Sequence, residues 1–473
     1  MEFLLNPDRE RMNLTLVMAL LVNGRTVLED FSWPSGAERF ASALKEFGLE
    51  FATQGHQLVL TGKGFQYSLP SVLPYDFGEL ENVLLWTLAS KDSEQLYTFI
   101  ALETAGVDTA GADISGDVTS GAASASPLDA AKQLLQKYFK IKPQTDEPGK
   151  FVFSFEPAEP SIRKDSSGSI PYIMRNRLLI RALVRSEYLT FEEKSPVRDQ
   201  LTRMFQFFGV ALKYEGRGME QLSEFERRLM MAQGKKIERT QTTELSETRV
   251  LTAHDYFVPG DTSEAVAIAV LTAVGNVPKE NAVKILNVDL NTSRSGAISC
   301  LKRMGVNVDN ATRREKFGDV FGDLDVFPMA AGKRLQGRRF GEDAVASSLS
   351  EYALLAVAAC FAEGETILRL PKENRAAIRP MNEFLAENLR KTGVEVGVYE
   401  DGMVIRGMET ILKGSDFSAG EWPEVGLALT VLSLALQNDE PIEGADLVEA
   451  TYPGILAKLE QVLISEKTEE VES

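Results

Sequence analysis

The strongest constraint on the fold of this chain is a repeat. An amphipathic helix ends in a bulky residue and a glycine, then leads into a short alternating strand, a polar turn and a second strand. Copies read FASALKEFGLEFATQGHQLVL, RDQLTRMFQFFGVALKYEG, GAISCLKRMGVNVDN and NEFLAENLRKTGVEVGVYEDGMVIRG, with turning glycines at Gly48, Gly209, Gly305 and Gly393. A helix that turns directly into a strand needs a left-handed residue just past its end, and glycine adopts that conformation without strain. The interval between Gly48 and Gly209 is nearly twice the two that follow, and AKQLLQKYFKIKPQTDEPGKFVFSF fills it without the glycine. YPGILAKLEQVLISE near the C-terminus begins a sixth unit. Units of this length are too large for a solenoid, and each couples a one-sided helix to strands of period two. The expected class is α/β, with helices inside and sheets outside or beside them.

At 473 residues and 44% hydrophobic composition, the chain can bury more than one core. The segment from 226 to 250 is polar and charged after Met231, so the boundary between two domains is expected near residue 240. Residues 108–132 are rich in Gly, Ala and Ser but lack the Gly-Lys-Ser/Thr of a phosphate loop, which reads as a surface loop.

The formal net charge of −18 argues against nucleic acid or an anionic membrane as partner. No apolar run approaches the ~20 residues of a membrane helix, and Glu2 and Asp8 stand where a signal peptide would be basic, so a cytoplasmic protein is expected. Cys300 and Cys360 lie in helix-like contexts as buried thiols, and His56 and His254 show no metal-ligand spacing. Neither a metal nor a cofactor is expected.

Several motifs resemble the enolpyruvyl transferase family, in its EPSP synthase branch. VPGDTSEAVAIAVLTAV from Val258, NTSRSGAISCLKRMGVNV from Asn291, RREKFGDVFGDLDV from Arg313 and LQGRRFGEDAVASSLSEYALLAVAACFAEGET from Leu335 are similar to its motifs. RDQLTRMFQFFGV from Arg198 and EATYPGI from Glu449 extend the resemblance to both halves. It implies a two-domain clamshell of six repeated helix/strand units, an inside-out α/β barrel type. The domains expected are 13–239 and 240–473, joined by residues 1–12. The family moves an enolpyruvyl group from phosphoenolpyruvate to shikimate 3-phosphate in the cleft between domains. Lys and Arg clamp these anions and carboxylates move the proton.

At position after position the clamps are replaced. Aligned to the family's opening Pro-Gly-Ser-Lys-Ser-x-x-Asn-Arg, this chain has Arg9 at the Lys, Glu10 at the second Ser and Leu14 at the Arg, with Asn13 unchanged. Asn82 stands at the arginine of the second loop, Ser124 and Ser126 in the Arg-x-Arg-Pro segment, and Tyr172, Ile173 and Met174 near the Ser-Ala-Gln. Ser350 replaces the catalytic aspartate before Glu351. Ile378 and Met381 replace the Glu and Arg of Lys-Glu-Ser-Asp-Arg, while PKENR, with Glu373 and Arg375, holds similar letters out of register. Trp422, Pro423 and Glu424 stand at Asp-His-Arg, and Ala450 at the late lysine.

Candidate site residues are therefore Glu351 and Glu373 for proton transfer, and Arg9, Asn13, Arg198 and Arg375 for substrate. Losing a buried charged contact costs about 2 to 5 kcal/mol, and each 1.4 kcal/mol is roughly tenfold in affinity. The reading adopted is a diverged monomeric member without the family reaction, whose protein partner the sequence does not name. Two alternatives stay open. One is an active synthase whose anion site is relocated, with Arg175, Arg177, Arg338 or Arg339 reaching it; the other is an enzyme acting on a less anionic substrate. If active, the chain is a transferase of enolpyruvyl groups with small-molecule anions as ligands.

Overall fold

The computed structural model describes residues 1–100, 126–156, 170–194, 198–217, 240–246, 250–275, 277 and 282–463. They divide into two compact units, Arg9–Val258 and Met1–Asp8 with Pro259–Ser473.

Within Arg9–Val258 one pattern occurs three times. The helix Arg9–Leu21 is buried from Arg11 to Leu21 and runs into the strand Asn23–Leu28. The helix Ala37–Lys45 follows, burying only Ala37, Phe40, Ala41 and Leu44, a single face at helical spacing. The hairpin Glu50–Gln54 and Gln57–Lys63 then places its second strand in the centre of a three-stranded antiparallel sheet. The buried helices Glu79–Ala89 and Tyr172–Arg185 open the second and third copies. Their outer helices are Pro127–Tyr138 and Gln200–Phe207, and in both sheets the last strand is again central.

The glycines expected at the helix exits behave as the repeat requires: Gly48, Gly209, Gly305 and Gly393 have φ of 100, 86, 105 and 83°. The copy without a glycine exists as expected and leaves its helix differently. Phe139 is extended at φ −129°, and the strand Ile141–Glu147 starts at once. Ser126, expected from the alignment at an anion-clamp position, caps this helix by accepting from the Asp129 backbone N–H at 3.2 Å. The expected surface loop at 108–132 falls largely outside the described residues, as does Ser124.

In the other unit the buried helices Thr262–Val274, Tyr352–Cys360 and Pro423–Ala435 pack on one another. The first leads to a sheet ordered Glu2–Leu4, Val283–Asp289, Asp319–Phe327, Asn307–Asn310. The second leads to the sheet of Ala362–Arg369, Gly402–Gly407 and Glu395–Tyr399, with Leu335–Gln336 and Arg339–Phe340 on its edge. The helix Ile455–Leu463 packs on Thr262–Val274 and on Pro423–Ala435, completing a third helical pair.

The expected domain limits need correction. Residue 240 is no boundary, because Thr240–Leu245 is the central strand between Leu189–Lys194 and Leu212–Arg217. Tyr256 still exchanges backbone hydrogen bonds with Val27 and Glu29, so the unit ends at Val258. Residues 1–12 do not form one connector either. Glu2–Leu4 pairs in parallel with Val283–Asp289, whereas Arg9 already opens the first helix of the other unit.

Candidate functional site

In Arg9–Val258 the starts of several helices carry the charged candidates. Arg9 Nη2 and Nε donate to Glu81 Oε1 at 3.0 and 3.2 Å, and Asn13 Nδ2 reaches the same oxygen at 2.8 Å. Gly36 beside the Arg9 guanidinium is left-handed at φ 72°, a conformation that favours glycine. Arg198 Nη1 donates to Glu10 Oε2 at 2.8 Å, and its guanidinium lies 5.1 Å from the Tyr172 ring centre. The structure therefore brings Arg9, Asn13 and Arg198 into one neighbourhood. Each cation there already holds a carboxylate.

The location of those carboxylates carries the electrostatic meaning. Glu10 and Glu81 sit in the first turns of Arg9–Leu21 and Glu79–Ala89. A helix N-terminus has partial positive charge and exposed N–H groups, and attracts anions or acidic side chains alike. Here the acidic side chains are built in. Asn82, expected from the resemblance where an arginine would stand, turns its amide inward and donates to Tyr75 O and Phe77 O at 3.1 and 2.7 Å.

The arginines considered for relocation lie elsewhere. Arg175, 1% exposed, donates to Glu193 Oε2 at 2.8 Å, to Thr202 Oγ1 at 2.6 Å and to the Arg198 carbonyl at 3.3 Å. Burial raises the Glu193 carboxyl, and Arg175 opposes that shift. Arg177 is buried too, with its guanidinium 4.2 Å from the Phe139 ring centre. Burial, then Arg181, lower its pKa to about 9. Both arginines are interior groups of the core.

In the other unit Glu351 is fully buried at the start of Tyr352–Cys360. Ser263 Oγ donates to its Oε1 at 3.0 Å, and Arg294 Nη1 lies 3.7 Å from the same atom. Arg294 also donates to Asp8 Oδ2 at 3.1 Å and to Ser350 Oγ at 3.5 Å, so Ser350, expected from the resemblance where an aspartate would stand, contacts the arginine that holds Glu351. Glu351 Oε2 accepts no hydrogen bond. Asp261 caps Thr262–Val274, accepting from the N–H groups of Ser263 and Glu264 at 2.7 and 3.2 Å. Its carboxyl is pushed up to about 8, first by burial, then by Asp8 and Glu264, against the pull of Arg294. Glu264 is satisfied by Asn6 Nδ2 at 2.6 Å, Asn6 N at 3.2 Å and Lys458 Nζ at 2.8 Å.

Glu373 and Arg375 are not part of this cluster. Glu373 is exposed on the short turn Lys372–Asn374, and Arg375 donates to Glu342 Oε1 at 3.0 Å and to the Leu370 carbonyl at 3.2 Å. They do not substitute for the displaced motif through any contact with Glu351. Arg338 and Arg339 are both exposed, Arg338 just before the edge strand Arg339–Phe340 and Arg339 at its start. Arg294, Asp261, Glu264 and Glu351 stood in motifs visible in the sequence, but Asp8, which joins them from the N-terminus, did not. Glu81 carried only one signal, an acid in the first turn of a helix beside Asn82.

Chemically, Glu351 is a carboxylate locked between a guanidinium and a hydroxyl. Burial raises the Cys300 and Cys360 thiols to about 11 and about 12, away from thiolate chemistry. Among the described residues no group of three His, Cys, Asp or Glu side chains could hold a metal ion. None of their helices is long and apolar enough to cross a membrane.

Comparison with known proteins adds ancestry to this geometry. The family profile described as EPSP synthase (3-phosphoshikimate 1-carboxyvinyltransferase) matches residues 172–459. The 3-phosphoshikimate 1-carboxyvinyltransferase of Synechococcus sp. (strain WH7803) is 29% identical over 291 residues, 62% of this chain and 60% of that protein. Its counterpart from Synechococcus sp. (strain JA-3-3Ab) is 32% identical over 206 residues, 44% of this chain and 45% of the relative. The matched regions thus span about half to three fifths of these curated relatives. Among solved structures, EPSP synthase from Acinetobacter baumannii superposes with a TM-score of 0.70 at 19% identity, covering 98% of this chain and 95% of that one. The enolpyruvyl transferase NikO from Streptomyces tendae gives 0.62 at 12% identity, covering 98% and 94%. At those identities the two structures speak for the fold.

Proposed function

The chain belongs to the EPSP synthase family, and from that premise we propose that it is a diverged member that no longer transfers enolpyruvyl groups to shikimate 3-phosphate. One observation carries the reading. Cations that stand at or near motif positions are neutralised by carboxylates of their own unit: Arg9 by Glu81, Arg198 by Glu10, Arg294 by Asp8 and Glu351, Arg375 by Glu342, Lys458 by Glu264. A phosphorylated ligand would have to displace these carboxylates, and two like charges about 4 Å apart repel by about 4 kcal/mol at an effective dielectric near 20. Burial adds to that barrier, since Glu81, Glu264 and Glu351 have little access to water in which to relocate.

Isothermal titration calorimetry with shikimate 3-phosphate, repeated with phosphoenolpyruvate present, tests the proposal. The expected result is no heat of binding at millimolar ligand. Micromolar binding that tightens with the second ligand overturns it and restores the active synthase. The same reading makes the protein a two-domain scaffold whose role lies in binding, with no nucleic acid or membrane among its partners.

A further inference from the structure

The chain has 69 Asp and Glu against 51 Lys and Arg, for a formal net charge of −18. Twelve arginines lie in the described residues of the unit formed by Met1–Asp8 and Pro259–Ser473. Seven of them, from Arg294 to Arg406, sit within 4.0 Å of a carboxylate. Four of the other five are Arg303, Arg334, Arg338 and Arg339. These four fall on two neighbouring segments, together with Lys302 and Lys333, whereas Arg390 and Lys413 are tied elsewhere to the Val396 and Gln437 carbonyls.

Those segments interlock. Arg338 Nε donates to the Arg303 carbonyl at 2.9 Å, and Arg303 Nη2 donates to the Arg339 carbonyl at 3.3 Å. The Arg303 guanidinium lies 4.6 Å from the centre of the buried Phe340 ring. Arg334 is tied to the Ala362 carbonyl at 3.0 Å, and the exposed Lys302 reaches Asn310 Oδ1 at 3.3 Å. Of the carboxylates near this edge, Glu363 accepts from Gln336 at 3.1 Å and Glu342 pairs with Arg375 at 3.0 Å. Lys302 and Arg303 end the helix Gly296–Met304, where its dipole favours cations. That accounts for two of the charges and leaves Arg338 and Arg339 unexplained.

We propose that this face, centred on Arg303, Arg338 and Arg339, is a docking surface for a protein segment carrying consecutive carboxylates. Guanidinium groups match carboxylates in planar, two-pronged fashion. Backbone carbonyls and the Phe340 ring hold Arg303 and Arg338 in place, so little side-chain entropy is lost on binding. Nucleic acid is disfavoured because the aromatic ring within the patch is covered by Arg303 and offers no base-stacking platform. This surface goes beyond the loss of enolpyruvyl transfer and is independent of it.

The test is fluorescence anisotropy of labelled octaglutamate titrated with the full chain at low ionic strength. Saturable binding is expected, weakened about tenfold or more by ~0.5 M salt, since exposed charge pairs are screened. R338E/R339E should weaken binding by a further factor of about ten, the equivalent of roughly 1.4 kcal/mol. Arg339→Glu alone guards against misfolding, because its exposed side chain makes no hydrogen bond or ion pair among the described residues; it should weaken binding with an unchanged melting temperature. Absence of saturable binding, undiminished binding to the charge-reversed chains, or tighter binding of inorganic phosphate or a single-stranded DNA 12-mer each overturns the proposal.

Discussion

At the scale of single residues, this protein invests its charge in itself. Arg175 and Glu193 are 1% and 0% exposed, and Thr202 and a backbone carbonyl complete the arginine's contacts. Removing one partner strands the other in a low-dielectric interior. Arg175→Ala should therefore lower unfolding free energy by about 3 to 5 kcal/mol, whereas R175M/E193L, which removes both charges, should recover most of the loss in urea unfolding. Asp261 offers a pH test. Its folded pKa, about 8, lies above an unfolded value near 4. Between the two the native state holds the extra proton, so stability falls as pH rises through that window. Asp261→Asn keeps a capping oxygen without the titration. Its melting temperature should exceed the wild type's by about 2 °C or more at pH 8, a shift worth somewhat under 1 kcal/mol in a unit this size. The difference should vanish near pH 4; an equal gap at both would remove Asp261 as its source.

At the scale of elements, the repeat depends on close approach as well as on left-handed exits. Gly62 in Gln57–Lys63 lies against the Ala19, Leu20 and Val22 carbonyls at the end of the buried helix, where a Cβ would overlap them. Gly407 stands in the same relation to the Ala359 and Ala362 carbonyls in the other unit. The recurrence marks one packing solution, in which the central strand of a hairpin crosses the end of its helix. Gly62→Ala should cost about 1 to 3 kcal/mol through overpacking. The loss should appear as faster amide exchange in Asn23–Leu28 and Gln57–Lys63, which pair directly.

At the scale of the whole molecule, the chain's first eight residues belong with its second half. Glu2–Leu4 extends the sheet at Val283–Asp289, Asn6 binds Glu264, and Asp8 binds Arg294. Deleting residues 1–8 should therefore raise amide exchange in Val283–Asp289 and Thr262–Val274, and lower the melting temperature of that unit, while Gln57–Lys63 stays protected. Unchanged exchange at Val283–Asp289 would show that the strand contributes nothing to its sheet. The sequence determined the α/β class, the repeated unit, the four glycine exits and even the copy that lacks one, because periodicity and helix-to-strand turns are local properties of neighbouring residues. It also carried the family, through motifs such as that around Glu351. It misplaced the boundary at 240 because a polar strand flanked by charged residues looks like a linker until its two neighbours are known. Only the tertiary structure decided which charges meet. Glu81 lies 72 residues from Arg9, Glu10 lies 188 from Arg198, and Asp8 lies 286 from Arg294. Such partners share no sequence signal, since an ion pair depends on distance in space, and the fold alone sets that distance.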